Sequence, residues 1–148
     1  MTSCLRFFTC FTLLLVAAGL VGCGGSGLPA PVKRLPGKWH GQMIVFEEEV
    51  QGKYTPEQIA DFQLWQMDFE FRPDGSMLIA GVTKGQSTSS EGSWEMVKQE
   101  GDLLTIKSTE AGGEQKQINC EFDGADTFYM PIKTDVAELG AMRFTRLR

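Results

Sequence analysis

Between residues 64 and 71 every second side chain is large and apolar, with Trp65, Met67, Phe69 and Phe71 alternating with Leu64, Gln66, Asp68 and Glu70. Successive side chains of an extended strand point to opposite faces, so this stretch reads as a strand with one face in an apolar interior and the other mostly in water. Arg72-Pro73-Asp74-Gly75 follows. Its proline suits an early turn position and its glycine tolerates positive φ, which predicts a hairpin returning along residues 76–83. The same punctuation continues to the C-terminus: Lys84-Gly85-Gln86 leads into 88–98, Glu100-Gly101-Asp102 into 103–109, Gly112-Gly113 into 115–122, Asp123-Gly124 into 127–132, and a connection through Leu139-Gly140 into 141–147.

With a first strand over 38–46, the chain carries about eight strands joined mostly by short turns, which predicts an all-β fold with neighbours paired in order, as a barrel or a sandwich. One helix interrupts the series after the first strand. Thr55 can cap it, Pro56 suits its first position, and Gln58 completes a capping box. Ile59 and Phe62, three residues apart, would share the face that covers one end of a barrel.

The inward faces then contain Trp65, Met67, Phe69 and Phe71; Met77 and Ile79; Trp94 and Met96; Leu104 and Ile106; Ile118, Cys120 and Phe122; Phe128, Met130 and Ile132; and Met142 and Phe144. Methionine, flexible and polarizable, recurs on five of these strands, and such a lining can adapt to an apolar guest or fill an ordinary core. An eight-stranded barrel is about the size at which side chains either fill the interior or leave room for one small ligand. The candidate ligand lining is Trp65, Met67, Phe69, Met77, Trp94, Met96, Phe128 and Met130.

The N-terminus is of another kind. Arg6 supplies a positive charge and residues 7–21 a mostly apolar stretch, shorter than the roughly 20 residues that span a bilayer, so the segment reads as a removable export signal. Leu20-Val21-Gly22-Cys23 resembles the lipobox of bacterial lipoproteins, in which the cysteine thiol is acylated and the chain is cut before it. The resemblance implies a signal peptide over 1–22, lipid on Cys23, and a protein anchored to a membrane rather than spanning it. Gly24-Gly25-Ser26-Gly27 and Pro29-Ala30-Pro31 read as a tether, completing a 23–34 segment ahead of a domain over 35–148. In Gram-negative lipoproteins an aspartate directly after the acylated cysteine favours the inner membrane. Gly24 stands there, which points to the cell envelope with the outer membrane as the expected address.

The domain resembles the lipocalin and calycin group. The likeness is carried by Leu35-Pro36-Gly37-Lys38-Trp39, similar to the G-x-W opening of the first strand, and by the terminal run Met142-Arg143-Phe144-Thr145-Arg146. It implies a lipocalin-like, closed up-and-down barrel in which a terminal arginine packs across the opening tryptophan. Arg146 is the better candidate because it shares parity with Met142 and Phe144, and Arg143 is the alternative. Gly37, Trp39 and Arg146 would then be structural, and ligand binding is implied by analogy.

Several chemistries find no support. Removing Arg6 leaves 13 of the 14 basic residues against 19 acidic ones, an unfavourable balance for binding a phosphate backbone, so no nucleic-acid partner is expected. His40 is the only histidine and reads as an outward or rim residue, which removes a histidine zinc cluster and cripples a serine triad. Glu47-Glu48-Glu49 reads as a solvated charged end of an extended first strand rather than a calcium loop. Cys4 and Cys10 leave with the signal and Cys23 carries lipid, so Cys120 stands alone as a small buried hydrophobe. No enzyme activity, cofactor or metal is expected. A membrane, reached through the lipid, and either a small apolar ligand or an envelope protein are the expected partners.

Overall fold

The alternation closes on itself. A computed structural model describes residues 27–83 and 85–148, and in it β1(Gly37–Val45), β2(Gln66–Phe71), β3(Ser76–Thr83), β4(Gln86–Glu100), β5(Leu103–Glu110), β6(Gln115–Phe122), β7(Thr127–Lys133) and β8(Glu138–Arg146) form one barrel in chain order. Every neighbouring pair is antiparallel, and β8 returns to pair with β1 from Trp39 opposite Arg146 to Val45 opposite Gly140. Closure gives every strand a neighbour on both sides, with β6 and β7 joined over only two residue pairs.

The expected helix is α3(Pro56–Gln63). Thr55 accepts a hydrogen bond from the Gln58 amide while the Gln58 side chain accepts from the Thr55 amide, completing the capping box. Two further helical turns are present. At α2(Glu47–Val50) the chain does not continue the first strand, which corrects the extended reading of Glu47-Glu48-Glu49. Val50 is fully buried, and the turn brings it into the core while the three carboxylates stay exposed at its N-terminal end, where the helix dipole favours them. At α1(Pro31–Arg34), inside the stretch read as tether, Pro31 and Arg34 are buried. The Arg34 guanidinium pairs with Asp102, donates to the Gly124 carbonyl and lies 4.8 Å over the Phe122 ring, so α1 fastens two turns at that end of the barrel.

That end is the packed base. Trp39 meets Phe128 edge-on with centroids 4.8 Å apart, Phe128 stacks on Phe144 at 4.6 Å, and Phe69 stacks on Phe71 at 5.0 Å. Met77, Leu104, Ile106, Cys120 and Met142 complete the core. Arg146 lies across the tryptophan, its guanidinium carbon 4.2 Å from the Trp39 ring centroid. It donates to the carbonyls of Pro36 at 3.0 Å and Arg34, and to the Asp126 carboxylate at 3.0 Å, while the Trp39 indole donates to the Leu35 carbonyl at 2.8 Å. A Cβ on residue 37 would stand 2.3 Å from Nη1 of Arg146, at φ 142°, so only glycine leaves room for the guanidinium. His40 faces outward and contacts Asp68 at 2.6 Å.

Cys120 sits fully buried in this core, and desolvation pushes its thiol up to about 12. A negligible thiolate fraction behind packed side chains predicts no labelling of Cys120 by iodoacetamide in native protein at pH 8, and full labelling in denaturant. Fast native labelling, read by mass spectrometry, would show that the base opens.

Candidate functional site

Inside the opposite half of the barrel, inward side chains of β2, β3, β5, β6 and β7 surround a cavity of about 400 Å³. Met67 and Phe69 come from β2, Ile79 from β3, Ile118 from β6 and Met130 from β7. Ser108, Glu110, Lys116 and Gln117 complete the lining. The volume is in the range of small-molecule sites, and so is the mixture of an apolar wall with a few polar groups.

Its position follows from the register. β6 and β7 pair only at their base ends, Glu121 opposite Tyr129 and Phe122 opposite Phe128. Above these two pairs the strands part, with Ile118 on one side of the seam and Met130 on the other. Gln117 points outward by parity yet lines the cavity, because the cavity reaches out through this seam. The α2 and α3 segment roofs a different part of the mouth: α3 packs on β1, α2 on β8, and the Tyr54 hydroxyl contacts Thr134 of the β7–β8 turn at 2.6 Å.

Of the eight candidate lining residues, the structure places Met67, Phe69 and Met130 at the cavity. Met77 and Phe128 lie in the packed base, with relative exposures of 1% and 0%. Trp94 is also at the base, donating its indole N–H to the Arg72 carbonyl at 3.1 Å and meeting Phe71 edge-on. Trp65 packs against Phe62 of α3 with centroids 5.2 Å apart. Met96 is a correction, because it does not line an interior and is 51% exposed. Met96 pairs with Ile106 and Lys98 with Thr105, so Val97 is an extra residue that bends β4 and interrupts its alternation there.

Ser108, Glu110 and Lys116 were missed because a search for apolar residues stops at Ile106 and Ile118. Continuing the same alternation by two positions on β5 reaches Ser108 and then Glu110, and stepping back by two on β6 reaches Lys116. The register confirms the neighbourhood, with Ser108 opposite Lys116. Ser108 is 1% exposed, and its hydroxyl donates to the Lys116 carbonyl. The Lys116 ammonium lies 3.1 Å from Glu110 and 3.2 Å from Glu114, and these hydrogen bonds hold it above the usual lysine range.

The surroundings of the mouth are acidic as well. The α2 and α3 segment carries Glu47, Glu48, Glu49, Glu57 and Asp61 against Lys53, and the β7–β8 end carries Asp135 and Glu138 against Lys133. Among the described residues, no group of three or more His, Cys, Asp or Glu side chains is arranged to hold a metal ion, and no helix is long and apolar enough to cross a membrane. Cys23, the expected lipidation site, lies outside the described residues. Comparison of the chain with protein-family models, with curated proteins and with solved structures gives no match, so the site stands on its geometry.

Proposed function

We propose that this protein is a lipid-anchored binding module of the bacterial envelope, with a lipocalin-like barrel that holds one small amphipathic molecule in its open half. The observation that carries the reading is the cavity itself, about 400 Å³ between Met67, Phe69, Ile79, Ile118 and Met130. A recess of this size that opens at the mouth, with a methionine, isoleucine and phenylalanine wall and a few polar groups at its edge, is in the range of small-molecule sites and suits a guest. The division of labour within the barrel agrees: aromatic packing and the Arg146 clamp stabilise the base, and the mouth is free of that duty.

Binding of N-phenyl-1-naphthylamine, a neutral fluorophore, tests the reading. We expect saturable, one-to-one fluorescence enhancement that is lost in Met130→Trp, whose larger ring would occupy the cavity, with the circular dichroism of that variant unchanged. Absence of saturable binding to the unaltered protein would overturn it. Anchoring is tested separately by incorporation of labelled palmitate, expected in the parent and absent in Cys23→Ala.

A second reading, an interaction protein of the envelope that uses its rim, draws on Leu64 and Val136, which are 70% and 61% exposed. Photocrosslinking from position 64 in intact cells would return one reproducible protein partner if that reading is right, and a diffuse background if it is not.

A further inference from the structure

The polar edge of the cavity has a definite charge. Its one ammonium group among the described residues, on Lys116, is held between two carboxylates, 3.1 Å from Glu110 and 3.2 Å from Glu114. Glu110 and Lys116 line the cavity and Glu114 stands just outside the lining against the same ammonium, so the polar edge taken together carries one more anion than cation. The lysine is held as an ammonium with its partners already chosen, so it has little attraction to spare for an incoming carboxylate. A low-dielectric wall of Ile118, Met130 and Met67 on the other side strengthens whatever field the carboxylates set up within the cavity.

We propose that the cavity takes a cationic amphiphile, an alkyl chain with an amine or quaternary ammonium head, and discriminates against a carboxylate or phosphate head on the same chain. The inference rests on the cavity reading above. In this arrangement the chain enters among Met67, Phe69, Ile79, Ile118 and Met130, and the head remains at the edge beside Glu110, with Glu114 beyond it. A carboxylate head in the same pose would meet like charge, and its exclusion needs no steric clash.

The test uses the form beginning at residue 23 with Cys23→Ser, which retains all eight strands of the barrel. Bound N-phenyl-1-naphthylamine is displaced by dodecyltrimethylammonium or by dodecanoate, each below its micellar concentration, at low salt and at high salt. We expect the ammonium compound to compete about tenfold more tightly at low salt, with the gap shrinking as salt screens the rim. Glu110→Gln, which leaves Lys116 with a single carboxylate, should narrow the gap further, read as the ratio of the two competitors' affinities within that variant. Equal displacement, stronger displacement by dodecanoate, or none by either compound overturns the inference and leaves the cavity reading standing. Failure of the neutral probe to bind overturns the cavity reading beneath it.

Discussion

Trp39→Ala should destabilise the protein by about 4 kcal/mol, the usual cost of emptying a large aromatic from a packed core. Trp39 is fully buried, touches Phe122 and Phe128 edge-on, and forms the face on which the Arg146 guanidinium lies. Its loss opens a void at the base and removes the cation–π contact, while Arg146 keeps its hydrogen bonds to the chain around α1. Since small domains are stable by only about 5–15 kcal/mol, the urea midpoint should fall by a large fraction. Trp39→Phe, which retains a ring but gives up the indole hydrogen bond to Leu35, should cost less than half as much. If the two variants unfold at the same urea concentration, ring volume is not what holds the base together.

Gly140→Ala should cost about 3 kcal/mol through a different cause, which is backbone rather than core. Gly140 has φ 148° and lies opposite Val45 in the ladder that closes the barrel, where a Cβ would stand 1.9 Å from the Ile44 carbonyl oxygen. Relief requires the β1–β8 pairing to separate locally, and that pairing is what turns eight strands into a barrel. Gly112→Ala is the control, because a Cβ there meets nothing within 4 Å. Its effect should stay within about 0.5 kcal/mol, as expected for an open surface position. Matching denaturation curves for the two variants would show that closure tolerates displacement at Gly140.

The mouth and the base thus have separable tests. Met130→Trp acts on the cavity and should spare stability, whereas Trp39→Ala and Gly140→Ala act on closure. An engineered change at Lys116 or Glu110 touches neither the aromatic base nor the β1–β8 ladder, which is why Glu110→Gln is a suitable variant for probing the ligand's charge.

Strand identity was legible in the sequence because alternation is a local property: Trp65, Met67, Phe69 and Phe71 announce a strand whatever they pair with. The hairpins were legible for the same reason, since Pro73, Asp74 and Gly75 set their turn without help from the rest of the chain. The relation of Gly37, Trp39 and Arg146 came from a resemblance, and the geometry supplies its physical cause in a guanidinium that occupies the space of a Cβ. Three things depended on partners far away in the chain. Whether Met96 is covered depends on the irregular end of β4, where the bulge at Val97 exists only relative to β5. Glu47 to Glu49 turn into a helix because Val50 has a core to enter. The cavity exists because β6 and β7 separate beyond Glu121 and Tyr129, and no single strand carries the information that its neighbour will leave. Periodicity assigns each residue to a face, but the number of neighbours that reach it, and so the difference between a packed methionine and one lining a cavity, is a property of the closed barrel alone.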